Sequence, residues 1–130
     1  MSENTLGKGR KKILVIDDEK DLREALFTIL AAEGYEVLVA EDGAVGLAIV
    51  QKELPDLILL DLQMPNLDGH EFLKKIKSDE ATKHVKVIIL TASSDLQTLS
   101  KTLESGGLDY VVKSDIELSG VVKKVAEKLA

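Results

Sequence analysis

The stretch KILVIDDEKDLREALFTILAAEG, residues 12–34, decides the fold. Its opening run, Lys12–Ile16, is almost continuously apolar, the pattern of a strand covered on both faces, and it stops at Asp17-Asp18. Leu22, Ala25, Leu26, Ile29 and Leu30 then recur at the i, i+3, i+4, i+7, i+8 spacing of an amphipathic helix. Gly34 supplies the left-handed residue that ends such a helix. A strand feeding directly into a helix is one βα unit.

The unit repeats. Tyr35–Ala40 is a second, more alternating strand, and Ala44, Leu47, Ala48 and Leu54 predict a second helix closed by Pro55. Asp56–Leu60 is the third strand, apolar and therefore central, with Asp61 at its end. A loop with Met64-Pro65 and Gly69 leads to a short third helix on Phe72, Leu73 and Ile76. The polar connector Ser78–Lys86 precedes the strand Val87–Leu90, which ends at Thr91-Ala92. Leu96, Leu99 and Leu103 give a fourth helix with a thin apolar stripe, mostly core, stopped by Gly106-Gly107. Leu108–Val112 is the fifth strand and Lys113 sits at its end. Ser114 and Glu117 have capping-box spacing ahead of a last helix carrying Leu118, Val121, Val122, Val125, Ala126 and Leu129. Strands alternating with helices imply an α/β domain with a mostly parallel sheet and helices on both faces. In such sheets ligands bind outside the carboxyl ends of the strands.

Composition narrows the functions. A chain of 130 residues, 45% hydrophobic and 31% charged, is an ordinary globular domain able to fold without staples. With no cysteine, disulfide frameworks, Cys-ligated metals and Cys nucleophiles are excluded. A net charge of −6 is the wrong sign for a phosphate-backbone binder, and two Tyr with two Phe make no stacking platform, so no direct contact with nucleic acid is expected. The apolar runs are far shorter than the roughly 20 residues a membrane helix needs, and the basic N-terminus has no apolar segment behind it. Residues 1–10 read as a flexible lead, residues 11–130 as the single domain, and the expected compartment is the cytoplasm.

The residues that end the strands carry the chemistry: Asp17, Asp18, Asp61, Thr91 and Lys113. No apolar core needs three carboxylates, a hydroxyl and an ammonium. If the first and third strands are neighbours, the three carboxylates converge and raise one another's pKa values, and a cation resolves the repulsion. An all-oxygen, shallow set suits Mg²⁺. A carboxylate beside Mg²⁺, with a hydroxyl and a lysine opposite, has the parts of a phosphoryl acceptor, because positioning and charge neutralisation are most of that chemistry. Asp61 is the candidate nucleophile, with Thr91 and Lys113 contacting the phosphoryl oxygens.

The motifs Ile-Asp17-Asp18-Glu, Leu-Leu-Asp61-Leu-Gln-Met64-Pro65-Asn-Leu-Asp68-Gly69, Leu-Thr91-Ala92 and Asp-Tyr110-Val-Val-Lys113, in that order, closely resemble the receiver domain of two-component response regulators over about residues 11–129. The resemblance implies a flavodoxin-like (βα)5 domain with strand order 2-1-3-4-5. It implies that Asp61 accepts a phosphoryl group from a histidine kinase or phosphotransfer protein. Asp18 and Asp61 become direct Mg²⁺ ligands, Asp17 acts through water, and the Gln63 carbonyl is the third protein ligand. Thr91 becomes the switch hydroxyl, Tyr110 the aromatic that swings inward with it, and Lys113 the phosphate-contacting lysine. Phosphorylation then shifts the face built from the fourth helix, fifth strand and last helix towards a form read by a downstream effector, as a monomer or a phosphorylation-dependent dimer. Gln63 and Ser93 stand where the family tunes water access. One departure is Ser114, where receivers commonly place a proline across a cis bond; a trans Lys113–Ser114 bond is the default here.

Singly, these residues have plainer readings. Asp17-Asp18 reads as a helix cap, Thr91 as a satisfied hydroxyl, Lys113 as a surface lysine, Tyr110 as a half-buried strand aromatic, and His70 and His84 as loop or surface residues. Their joint occurrence favours the acceptor. The chain reads as a non-enzyme whose only catalysis is on itself. Two other classes stay open: a Mg²⁺-dependent small-molecule phosphohydrolase acting through Asp61, and a flavodoxin-like binding module that is never phosphorylated. The first lacks a second carboxylate two residues on, where Gln63 stands. For a flavin-holding version of the second, the first loop offers acidic residues where a phosphate cradle needs Gly, Ser and Thr.

Overall fold

Apolar side chains occupy every position from Ile13 to Ile16 and from Leu57 to Leu60, and a strand alternates its side chains between two faces, so both faces must be covered. A computed structural model describes residues 9–62, 69–92, 100–101, 103–104, 106–107 and 109–130, apart from the Asp115 side chain. The strands are β1 (Lys12–Ile16), β2 (Glu36–Ala40), β3 (Leu57–Asp61), β4 (Lys86–Thr91) and β5 (Asp109–Val112). They form one sheet in the order β2-β1-β3-β4-β5, and all four pairings are parallel. The helices are α1 (Lys20–Ala32), α2 (Gly43–Glu53), α3 (Gly69–Ser78) and a last helix (Leu118–Leu129).

Odd and even positions of the strands feed two separate cores. On one face Leu14, Ile16, Ile58, Leu60 and Ile89 pack with Val50 of α2 and Phe72, Leu73 and Ile76 of α3. On the other, Ile13, Val15, Leu57, Leu59, Ile88 and Leu90 pack with Leu26 and Leu30 of α1 and Val121 and Val125 of the last helix. The predicted strands, and the faces of α1 and α3, are therefore found where the periodicity placed them, with boundaries moved by a residue. Gly34, at φ +98°, ends α1 as expected, and Gly106 is also left-handed at φ +119°.

Four expectations are corrected. The buried face of α2 is Gly43, Gly46 and Val50, while Ala44 and Ala48 are exposed. Gly46 makes the difference: a Cβ there would lie 2.6 Å from Ile16 Cδ1, so the missing side chain is what lets the helix approach the sheet. Leu54 is not a core residue; it caps α2 in a left-handed conformation and is 48% exposed. Pro55 behind it disfavours the right-handed helical region that would continue the helix.

At the last helix no Ser114–Glu117 capping box forms. Lys113–Asp115 make a 3-10 turn, and Glu117 occupies the cap position with no side-chain cap bond. Leu103 lies on a helical turn but is 39% exposed, so it is not core. That turn leads into Gly106, where an added Cβ would meet the Lys77 side-chain methylenes at 2.7 Å, so the cover at this point is a lysine stem. The expected lead residues 1–8, the loop residues Met64, Pro65 and Asp68, and Leu96, Leu99 and Leu108 lie outside the described residues.

Candidate functional site

Strand register assembles the site. Ile16 pairs with Leu60, so Asp17 leaves β1 at the level where Asp61 ends β3. Asp61 pairs with Leu90, the residue before Thr91, and Thr91 pairs with Val112, the residue before Lys113. The four strand ends thus form one row, and β5 is two strand spacings, roughly 10 Å, from β3. The long Lys113 side chain spans that gap across the end of β4.

Asp17, Asp18 and Asp61 each offer a carboxylate oxygen within 4.8 Å of the other two. Asp17 is fully buried and Asp61 is 2% exposed, while Asp18 faces solvent. The Asp17 backbone is pinned on both sides: its amide donates to the Ala40 carbonyl at 3.1 Å and its carbonyl accepts from Arg23 Nη1 at 2.8 Å. Its Oδ1 accepts from the Glu19 amide at 2.8 Å. Oδ2 is buried and accepts no hydrogen bond among the described residues. Lys113 Nζ lies 3.0 Å from Oδ2, so that contact is an ion pair without hydrogen-bond alignment.

Lys113 gathers three carboxylates. Its Nζ is 2.6 Å from Glu19 Oε1, 3.0 Å from Asp17 Oδ2 and 3.2 Å from Asp61 Oδ2. Burial alone would lower the lysine pKa; the carboxylates of Glu19, Asp17 and Asp61 outweigh it and hold the ammonium well above its ordinary range. Burial pushes the Asp17 carboxyl up, against the lowering effects of the Glu19 amide and the Lys113 ammonium. One ammonium does not balance this many carboxylates. An orphaned buried oxygen in an all-oxygen set is the environment a hard divalent cation fits, and Asp17, Asp18 and Asp61 are the residues that could hold it.

The other predicted residues fall into place unequally. Thr91 is buried at the end of β4, level with Val112, the residue before Lys113, and the Lys113–Ser114 bond is trans. Tyr110 is on β5, 36% exposed, opposite Ile89. Gln63 and Ser93 lie outside the described residues. Glu19 is the residue whose role the sequence did not disclose. Its only signal was an acidic residue directly after Asp17-Asp18, which reads equally well as a first-turn helix charge.

A family model described as "Response regulator receiver domain" matches residues 13–125. Sporulation initiation phosphotransferase F of Bacillus subtilis is 40% identical over 116 residues, covering 88% of this chain and 92% of the relative. The probable transcriptional regulator ycf27 of Porphyridium aerugineum is 40% identical over 122 residues, 92% of this chain but 50% of the relative. Against the first relatives the chain spans about half of their length or less. Among solved structures, a CheY-like receiver domain protein from Methanospirillum hungatei superposes with a TM-score of 0.85 at 31% identity, covering 92% of this chain and 94% of that one. Chemotaxis protein CheY4 of Vibrio cholerae gives a TM-score of 0.85 at 28% identity, covering 91% and 98%. With strand order and the matched segment in agreement, the chain belongs to the response regulator receiver domain family.

Proposed function

We propose that this domain is the phospho-acceptor of a two-component phosphorelay, with Asp61 as the residue phosphorylated. The observation that supports it is the convergence of Asp17, Asp18 and Asp61 within 4.8 Å, faced by Lys113. A carboxylate oxygen of Asp61 forms the new O–P bond as the P–N bond of a donor phosphohistidine breaks. The electron pair of that bond returns to the imidazole nitrogen, which takes up a proton. Asp17, Asp18 and Asp61 would hold Mg²⁺, which when bound neutralises charge on the phosphoryl oxygens.

Lys113 neutralises a further oxygen from the opposite side, and the Thr91 hydroxyl, at the neighbouring strand end, donates to another. Drawing Thr91 inward leaves space that the half-exposed Tyr110 fills, and this repacks the face around β5 and the last helix. Hydrolysis of the acyl phosphate returns the carboxylate and inorganic phosphate. The domain is thus a substrate and switch, not an enzyme on free substrates. Its partners are a histidine kinase or phosphotransfer protein as donor and an effector as reader, in the cytoplasm. Intact-mass spectrometry after incubation with acetyl phosphate tests the reading. One phosphoryl adduct that needs Mg²⁺ and is absent from Asp61→Asn is expected; an adduct of equal size on Asp61→Asn contradicts it.

A further inference from the structure

We propose that Glu19 is a positioning residue of this site, holding the Lys113 ammonium in the resting state and releasing it when a phosphoryl group arrives on Asp61. The inference rests on the phospho-acceptor reading above. Glu19 makes the shortest of the three contacts to Lys113, 2.6 Å against 3.0 and 3.2 Å. Its backbone stands at the N-cap of α1, yet its side chain makes no cap bond, so the carboxylate serves the lysine instead.

An ammonium has three N–H donors, and here three carboxylates surround it. A phosphoryl group on Asp61 places its oxygens against the same ammonium, and an ammonium crowded by three carboxylates can move onto them only by leaving one. Asp17 is fully buried and cannot be rehydrated, whereas the Glu19 side chain is 61% exposed and passes to water at little cost. Glu19 is therefore the partner given up. Until then it competes with the phosphoryl group for Lys113, and it also draws the ammonium away from the oxygens of Asp17 and Asp61 that a cation would use.

This arrangement predicts opposite shifts in two affinities. Calorimetry would follow Mg²⁺ binding, and then beryllofluoride binding at saturating Mg²⁺, for wild type, Glu19→Gln and Glu19→Asp. Both substitutions remove the reach to Lys113, and Glu19→Asp keeps the charge. Beryllofluoride should bind roughly two- to fivefold tighter to both, the scale of an exposed ion pair. Mg²⁺ should bind more weakly to both, because Lys113 then presses on Asp17 and Asp61. In a Lys113→Met background, Glu19→Gln should leave beryllofluoride affinity unchanged. Unchanged or weaker beryllofluoride binding in Glu19→Gln, with normal binding by the wild type, overturns the role of Glu19 alone. The same tightening in the Lys113→Met background also overturns it, since Glu19 would then act on the anion directly. Failure of the wild type to bind beryllofluoride overturns the acceptor reading and this inference with it.

Discussion

The two ends of the sheet treat charge in opposite ways. At the amino ends, each ion meets one or two opposite charges or a backbone group and keeps contact with water. Asp56 Oδ2 accepts from the Lys12 amide at 2.8 Å, Lys12 Nζ pairs with Glu53 at 3.2 Å, and Lys86 Nζ donates to the Lys128 carbonyl at 2.6 Å. At the carboxyl ends, Asp17, Asp61 and Glu19 crowd around Lys113 with Asp18 beside the first two, and a buried oxygen of Asp17 is left without a hydrogen bond. The same sheet, with equally apolar strands, supports both arrangements. The amino end is built for stability; the carboxyl end holds unresolved negative charge that a divalent cation can offset.

Breaking the crowded end should have the largest effect. Lys113→Met removes the only ammonium seen against these carboxylates among the described residues and should lower metal-free stability by about 3 kcal/mol, read by urea unfolding. Added Mg²⁺ should recover much of the loss, since it replaces the missing charge. Asp17→Asn sharpens the contrast in the other direction. Burial raises the Asp17 pKa, so holding the carboxylate ionised near neutrality costs the folded state. The variant should be more stable than wild type by about 1–2 kcal/mol without metal at neutral pH. The gain should shrink as pH falls through the raised pKa and the wild-type carboxyl protonates. Mg²⁺ affinity should drop in the same variant, and calorimetry would register it.

Smaller effects are expected at the matched pairs. Asp56→Ala leaves the Lys12 amide without its acceptor and should cost about 1 kcal/mol in urea unfolding, with Mg²⁺ binding unchanged. Asp109, beside Lys124 at 3.1 Å and Lys128 at 3.8 Å, joins β5 to the last helix. Burial would raise its pKa, but the Tyr110 amide and these lysines lower it on balance. Its contribution is therefore present above the ordinary carboxylate pKa and lost as pH falls through the lowered one. Unfolding midpoints of wild type and Asp109→Asn should differ near neutrality and converge in acid.

What the sequence disclosed follows the same division. Ile13–Ile16 and Leu57–Leu60 announce buried strands because both faces must be apolar, and Asp17, Asp61, Thr91 and Lys113 stand out because each ends such a run. The strand order came from the family resemblance, since periodicity does not say which strands are neighbours. The face of α2 was misread because Gly46 is buried through its lack of a side chain, which a count of apolar residues does not register. Glu19 was missed for a related reason. Three acidic residues in a row do not reveal that the third, as well as the first, reaches a lysine 94 positions after it, and only the geometry shows that contact.

The most direct measurement is the location of the phosphoryl group. After reaction with acetyl phosphate and Mg²⁺, borohydride converts a phosphorylated aspartate to homoserine, and peptide mass spectrometry places it in the chain. Homoserine at position 61, and at neither 17 nor 18, is the predicted result. Homoserine at another aspartate, with position 61 intact, would contradict the assignment of the crowded strand ends as a site built around Asp61.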